Sequence, residues 1–173
     1  MYRKIKVEQC DITKMDVDAI VNAANNSLLG GGGVDGAIHA AAGIELLREC
    51  RTLKGCDTGD AKITNGYNLK AKYVIHTVGP VYHRRKAEKC AEQLASCYRR
   101  SLDVARENNI HSIAFPAIST GIYGYPLKDA TIIAINTVVE WLEKNDDWDI
   151  SVVFSCFDKK TLDVYQEILA EIG

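Results

Sequence analysis

No apolar run in this chain approaches the length needed to span a membrane, so no transmembrane helix and no membrane partner are expected. There is no basic excess either. A formal net charge of −2 argues against a general nucleic-acid binder, which would carry a surplus of lysine and arginine. The six cysteines include no C-x-x-C pair. The opening Met1-Tyr2-Arg3-Lys4-Ile5 has no apolar signal segment, so free thiols and a cytoplasmic location are expected. Cys50 and Cys56 have the wrong spacing for a zinc site. His39, His76, His83 and His111 also lack metal-ligand spacing and read as structural or solvated residues. No metal and no cofactor is expected. No Gly-Lys-Ser/Thr follows the glycines, which excludes a P-loop, and no G-x-S-x-G surrounds Ser119, which excludes a nucleophile elbow. Linkers, repeats and low-complexity segments are missing as well. The 173 residues, 47% hydrophobic, therefore predict a single domain over 1–173 with a proper core.

What is present is concentrated in one stretch, from Asn22 to Gly36. It follows the apolar run Ala19-Ile20-Val21 and precedes a helical pattern of Val34, Ala37, Ile38, Ala41 and Ala42. Between them lie four consecutive glycines, Gly30 to Gly33, with no side chains to hold the backbone away from a ligand. Backbone N–H groups there can converge on an anion, and the helix N-terminus behind them adds unpaired donors and a positive dipole end. The competing reading is a flexible loop with Asp35 as helix N-cap. Gly31-x-Gly33-x-x-Gly36 also fits the dinucleotide fingerprint. Its acidic partner would be Asp57, which lies in the turn-forming Asp57-Thr58-Gly59-Asp60 and not at a strand end.

Along the chain, strands are predicted at 3–9, 18–24, 61–65, 73–78, 112–118 and 150–156. Helices are predicted from Val34, over 45–53, 86–108, 127–141 and 161–172. Alternating strands and helices imply an α/β sheet with helices on both faces, where ligands gather at the carboxyl ends of strands. Those ends carry Asp11, the Asn22–Gly36 stretch, Gly79-Pro80 and a second glycine-bearing loop, Ser119 to Tyr125. Neither loop contains lysine or arginine. A phosphate held there would rely on backbone N–H groups and helix dipoles, at roughly 0.3–1 kcal/mol for each exposed dipole contact.

Asn22-Ala23-Ala24-Asn25, Gly30 to Ile38, Lys62-Ile63-Thr64, Tyr73 to Pro80, Ala114 to Ile118 and Ser119 to Pro126 together resemble the macro domain, and within it the MacroD-type branch. The resemblance covers nearly the whole chain. It implies a three-layer α/β/α sandwich around a central six-stranded mixed sheet. It also implies an ADP-ribose pocket and a hydrolase that removes mono-ADP-ribose from acidic protein side chains and deacetylates O-acetyl-ADP-ribose. On the same resemblance, Asp11 and the Ile12 N–H meet adenine, with Phe157 beside it. Gly32, Gly33 and Val34 line the first phosphate loop, and Ala23 is a further ligand-binding residue. Ser119, Thr120, Gly121, Ile122, Tyr123 and Gly124 form the second, with Tyr123 against the distal ribose. Asn25 holds the distal ribose hydroxyls, and Asp35 acts beside the scissile bond. Cys10 stands where the family commonly has glycine, and Gly121-Ile122-Tyr123-Gly124 replaces the Gly-Val-Phe-Gly of some members.

With no nucleophile or metal signature, direct attack by water is the expected chemistry, oriented by Asp35 and worth roughly 10²–10⁴-fold in rate. The substrate diphosphate is an alternative base. Attack at the ester carbonyl and at the anomeric carbon are both compatible with these residues. The expected partners are ADP-ribose, O-acetyl-ADP-ribose and mono-ADP-ribosylated proteins, met by a monomer. A module that only reads ADP-ribose is the alternative class, and Asn25 with Gly32-Gly33-Val34-Asp35 favours the enzyme.

Overall fold

The computed structural model describes residues 4–173. Its elements in chain order are β1 (Ile5–Gln9), β2 (Ala19–Ala24), α1 (Gly33–Ala42), α2 (Ile44–Leu53), β3 (Ala61–Asn65) and β4 (Tyr73–Val78). They continue with α3 (Ala87–Glu107), β5 (Ser112–Phe115), α4 (Leu127–Lys144), β6 (Ser151–Cys156) and α5 (Lys159–Ile172). The strands form one six-stranded sheet in the order β1-β6-β5-β2-β4-β3. Every neighbouring pair is parallel except β3 with β4, which makes the sheet mixed.

Most predicted boundaries hold within a few residues. Arg3, placed at the start of the first predicted strand, lies outside the described residues. The strand expected over 112–118 stops at Phe115. Pro116 has no N–H to continue the ladder, and the chain turns away there. Helix α4 runs on to Lys144, past the expected end at Trp141, because Leu142 continues its buried face. Helix α5 begins earlier than Thr161, since Asp158 caps it by accepting from the Thr161 N–H at 2.8 Å. In α3 the expected apolar face starts only at Cys90, as Ala87 is exposed.

Strand periodicity divides the core in two. Val21, Ile75, Ile113, Phe115 and Phe154 point to one face and pack on α3, α4 and α5 through Leu94, Tyr98, Val138 and Tyr165. Ile20, Ala24, Val74, Val78 and Ala114 point to the other face and pack on α1 and α2 through Ile38, Ala42, Leu46 and Cys50. Asn22 and His76, at the same parity as Ile20 and Val74, belong to this second face.

The sheet's connectivity locates a crevice. From β2 the chain adds β4 on one side, then β5 and β6 on the other. The loops after β2 and β5 therefore leave neighbouring strands and lead into helices on opposite faces, α1 and α4. That reversal of direction is where open α/β sheets bind ligands.

Candidate functional site

Five parallel strands end on one edge. β1 delivers Asp11 and Ile12, β2 delivers Asn25 and the glycine loop, and β4 delivers Gly79. β5 delivers Ser119 to Tyr125, and β6 delivers Phe157. The expected site residues thus come together along one rim, although they span nearly the whole sequence.

At one end, β1 and β6 are neighbours, with Gln9 in register with Cys156, so Asp11 and Phe157 leave adjacent strands. Phe157 is 90% exposed. Ile12 is buried beneath this corner. Asp11 does cap a short 3-10 turn: its Oδ1 accepts from the Thr13 N–H at 3.0 Å and the Thr13 hydroxyl at 2.7 Å. Those two bonds hold its carboxyl below the ordinary range. The cap occupies Oδ1 of a residue that is itself exposed.

The first loop is shaped by Asn25. Its Oδ1 accepts from the Ser27 N–H at 3.2 Å and the Ser27 hydroxyl at 2.6 Å, and its Nδ2 donates to the Gly30 carbonyl at 3.0 Å. Leu28, fully buried, anchors the loop in the core at φ +61°, with its N–H donated to the Asn25 carbonyl. The glycines divide by role. A Cβ at Gly32 or Gly33 would meet nothing within 4 Å, so both border open space, and Gly33 has φ +58°. A Cβ at Gly31 would lie 3.2 Å from Asp35 Oδ2 and 3.4 Å from Asn25 Nδ2. The missing side chain at Gly31 therefore leaves room for both the carboxylate and the amide. A Cβ at Gly36 would come within 2.5 Å of the Gly31 carbonyl, so the loop seats directly on α1.

Asp35 is not the helix cap. Gly32 takes that position without a side-chain bond, and Asp35 sits buried in the first turn of α1. Its Oδ1 accepts from Asn22 Nδ2 at 2.9 Å, and His39 Nε2 lies 3.4 Å away, one helical turn on. The dipole at this end of α1 favours an anion. Ala23, expected to bind ligand, is the next-to-last residue of β2 and packs against the α3–α5 core.

The second loop is held by its own backbone. The Gly124 N–H donates to the Gly121 carbonyl at 3.0 Å, and the Tyr125 N–H to the Ser119 carbonyl at 2.9 Å. The Thr120 hydroxyl donates to the Ala117 carbonyl at 2.9 Å. Ser119 is buried at φ +66°, and a Cβ at Gly79 would collide with its hydroxyl. The Tyr82 N–H donates to the Tyr123 carbonyl at 2.8 Å, tying the loop to the segment after β4. Gly121 and Gly124 border open space, and Ile122 is 95% exposed at the tip.

Sequence reasoning missed the residues behind this rim. Asn22, His76 and Thr64 are buried polar groups within the β-sheet, and Gly31, Gly36 and Gly79 permit close approach. A usable signal existed. A polar residue inside a strand buried on both faces must find a partner in the core. His39 was legible too, four residues after Asp35 on one helix face. His83 is exposed, and His111 stacks on Trp148 with ring centroids 4.5 Å apart, so both stand apart from the site.

The family model described as Macro domain matches residues 21–134. The human protein named ADP-ribose glycohydrolase MACROD2 is 55% identical over 99% of this chain, which spans 40% of that protein's length. A macro domain-containing protein of Chlorobaculum tepidum is 61% identical, with 94% of this chain and 93% of that one covered. The Trypanosoma brucei macrodomain solved in complex with ADP-ribose superposes with a TM-score of 0.90 at 45% identity, covering 99% of this chain and 70% of that one.

Burial of His76 has a consequence for stability. Desolvation, and then the nearby His39, push its pKa from 6.5 down to about 3. Below pH 6.5 the unfolded chain takes up a proton at this residue that the folded chain refuses. Its contribution is therefore fully present above pH 6.5 and is lost as pH falls towards 3. Urea unfolding of the wild type between pH 6 and 4 should lose about 1.4 kcal/mol per pH unit more than His76→Gln does. Equal slopes would mean that His76 protonates freely in the fold.

Proposed function

The chain belongs to the macro domain family, and from that premise we propose that it binds ADP-ribose along the carboxyl edge of its sheet and hydrolyses mono-ADP-ribosyl esters on acidic protein side chains. O-acetyl-ADP-ribose is the small-molecule substrate of the same site. The observation that carries the catalytic reading is Asp35: a buried carboxylate with Oδ1 held by Asn22 and Oδ2 beside the side-chain-free Gly31 of the first loop. The ligand half of the reading is supported by the ADP-ribose in the Trypanosoma brucei structure, and the reaction by the name of the human relative.

Adenine lies at the Asp11–Phe157 corner, between the Asp11 carboxylate, the Ile12 N–H and an exposed ring. The diphosphate sits between Gly32-Gly33-Val34 and Ser119 to Gly124. The distal ribose reaches Asn25 and Tyr123, and Ala23 lies beneath the first loop. Water held by Asp35 Oδ2 attacks the ester. Its oxygen bonds to the carbon under attack, Asp35 accepts its proton, and the ester bond breaks with its electrons on the leaving oxygen. Attack at the carbonyl or at the anomeric carbon gives the same products, ADP-ribose and the free carboxylic acid. The protein works in the cytoplasm as a monomer.

Two variants test the assignment. Gly121→Glu adds a carboxylate where backbone must meet phosphate, yet its Cβ enters open space. It should fold normally and lose ADP-ribose binding in calorimetry; wild-type affinity would remove the second loop from the site. Asp35 repels a bound diphosphate, so its presence serves turnover more than affinity. Asp35→Ala should slow single-turnover release of ADP-ribose from a mono-ADP-ribosylated acidic protein by about two to four powers of ten. Its ADP-ribose affinity should stay within about tenfold of wild type, or 1.4 kcal/mol. Near-normal turnover would transfer the base role to the substrate diphosphate. A wild-type protein that binds ADP-ribose but releases none from the modified protein would be a reader.

A further inference from the structure

A file of polar side chains crosses the otherwise apolar layer between the sheet and helices α1 and α2. It runs from Thr64 on β3 through His76 on β4 and Asn22 on β2 to Asp35 on α1, and all four residues are buried. Ile20, Val74, Val78 and Ile38 share the layer. His76 Nε2 lies 2.9 Å from Thr64 Oγ1, and His76 Nδ1 lies 3.1 Å from Asn22 Nδ2. Asn22 Nδ2 lies 2.9 Å from Asp35 Oδ1. Asn22 and His76 are register partners on adjacent strands, so the sheet itself sets their spacing.

The direction of every bond follows from the chemistry at the two ends. The Asp35 carboxylate only accepts, so Asn22 presents its NH₂. That NH₂ also faces His76 Nδ1, which must then carry a lone pair. His76 is accordingly the Nε2–H tautomer and donates to Thr64 Oγ1. The Thr64 hydroxyl proton goes on to the Asn65 carbonyl at 3.1 Å. Turning the Asn22 amide over would set a carbonyl oxygen 2.9 Å from a carboxylate oxygen. The other imidazole tautomer would set N–H against N–H at 3.1 Å. Two further titratable groups face the ring. The Cys50 thiol lies 3.7 Å from Nε2 and is pushed up to about 11 by burial, and the His39 ring lies 6.3 Å away.

We propose that Thr64 and His76 are positioning residues for hydrolysis: together they lock the Asn22 amide so that it pins Asp35 Oδ1 and leaves Oδ2 for the attacking water. The proposal rests on the reading of Asp35 as the base. Neither residue touches the ligand rim, since Asn22 separates His76 from Asp35 and Thr64 lies one bond further back. Their effect passes through an orientation. Without the Thr64 hydroxyl, the buried Nε2–H has only a thiol beside it, and the Nδ1–H tautomer gains population. Asn22 must then offer its carbonyl to the ring, and Asp35 Oδ1 loses the amide donor, keeping only His39 Nε2 at 3.4 Å.

Thr64→Val removes the hydroxyl while keeping shape, and Thr64→Ser restores it. The 173-residue chain is assayed for single-turnover ADP-ribose release, for ADP-ribose affinity by calorimetry, and for the His76 tautomer and the Asn22 side-chain amide by ¹⁵N NMR. Thr64→Val should release ADP-ribose roughly 5- to 100-fold more slowly, the factor that follows from leaving one buried donor unpaired. Affinity should stay within about threefold, less than half of one tenfold step. The ring signal should become a tautomer mixture and the Asn22 NH₂ signal should move. Thr64→Ser should return all readouts to wild type. His76→Phe, which deletes the ring nitrogens, should show the same separation of rate from affinity. A wild-type rate in Thr64→Val with the tautomer changed would overturn the proposal, as would rate and affinity falling together. If the wild-type protein itself releases no ADP-ribose, the hydrolytic reading falls. An unmoved Asn22 NH₂ signal in Thr64→Val would then overturn the lock on its own terms, and a shifted one would support it.

Discussion

The hydrogen bond from Asn22 Nδ2 to Asp35 Oδ1 joins the central strand β2 to the first turn of α1. Much of the rim depends on it. The glycine loop begins three residues after Asn22 and ends two residues before Asp35, so this bond closes its base. Both ends are buried, and breaking it would leave Asp35 Oδ1 with only His39 Nε2, 3.4 Å away, and the Asn22 amide with only the His76 ring. A buried group left unpaired costs about 1–3 kcal/mol, and more when charged. That cost keeps the loop's two ends in one arrangement while the loop itself carries four glycines.

The site is built without cations. Neither glycine-bearing loop contains lysine or arginine, so any anion affinity there must come from backbone N–H groups and helix ends. Such donors are directional, and that explains why loop geometry is over-determined. Asn25 makes three bonds within the first loop. The second loop closes on itself twice and is clamped by Tyr82. Leu28 and Ser119 accept left-handed backbone at positions where glycine would be easier. At both, burial of the side chain offsets the strain and sets the direction of the loop that follows.

The sheet and helices were legible because the sequence carries them twice, once in hydrophobic period and once in punctuation. Ala61–Asn65 and Tyr73–Val78 could be bounded from turn residues alone. Pro116 shows where the period misled: the apolar run continues to Ile118, but the ladder cannot. The rim was legible for a similar reason, since polar residues at strand ends stand out against apolar strands. The layer behind it was hidden because buried polar partners are distant in sequence. Thr64, His76 and Asn22 become neighbours only when β3, β4 and β2 pair. Gly36 and Gly79 were equally silent, because what a missing Cβ avoids is a contact across the fold.

One end of α1 serves two anions. Asp35 occupies its first turn, and the open backbone of Gly32 and Gly33 faces the cleft just ahead of it. A carboxylate and a phosphate at the same helix N-terminus share the same positive dipole end, and each reduces what the other gains from it. Affinity is therefore lower than the loops alone would provide. For a reader that would be a fault. For a hydrolase it is useful, because the product carries the diphosphate away, and binding energy spent equally on substrate, transition state and product does not raise the rate of the chemical step. On the proposed reading the buried base limits how tightly the product is held. Because Asn22 pins Oδ1, Oδ2 is the oxygen that this reading gives to water.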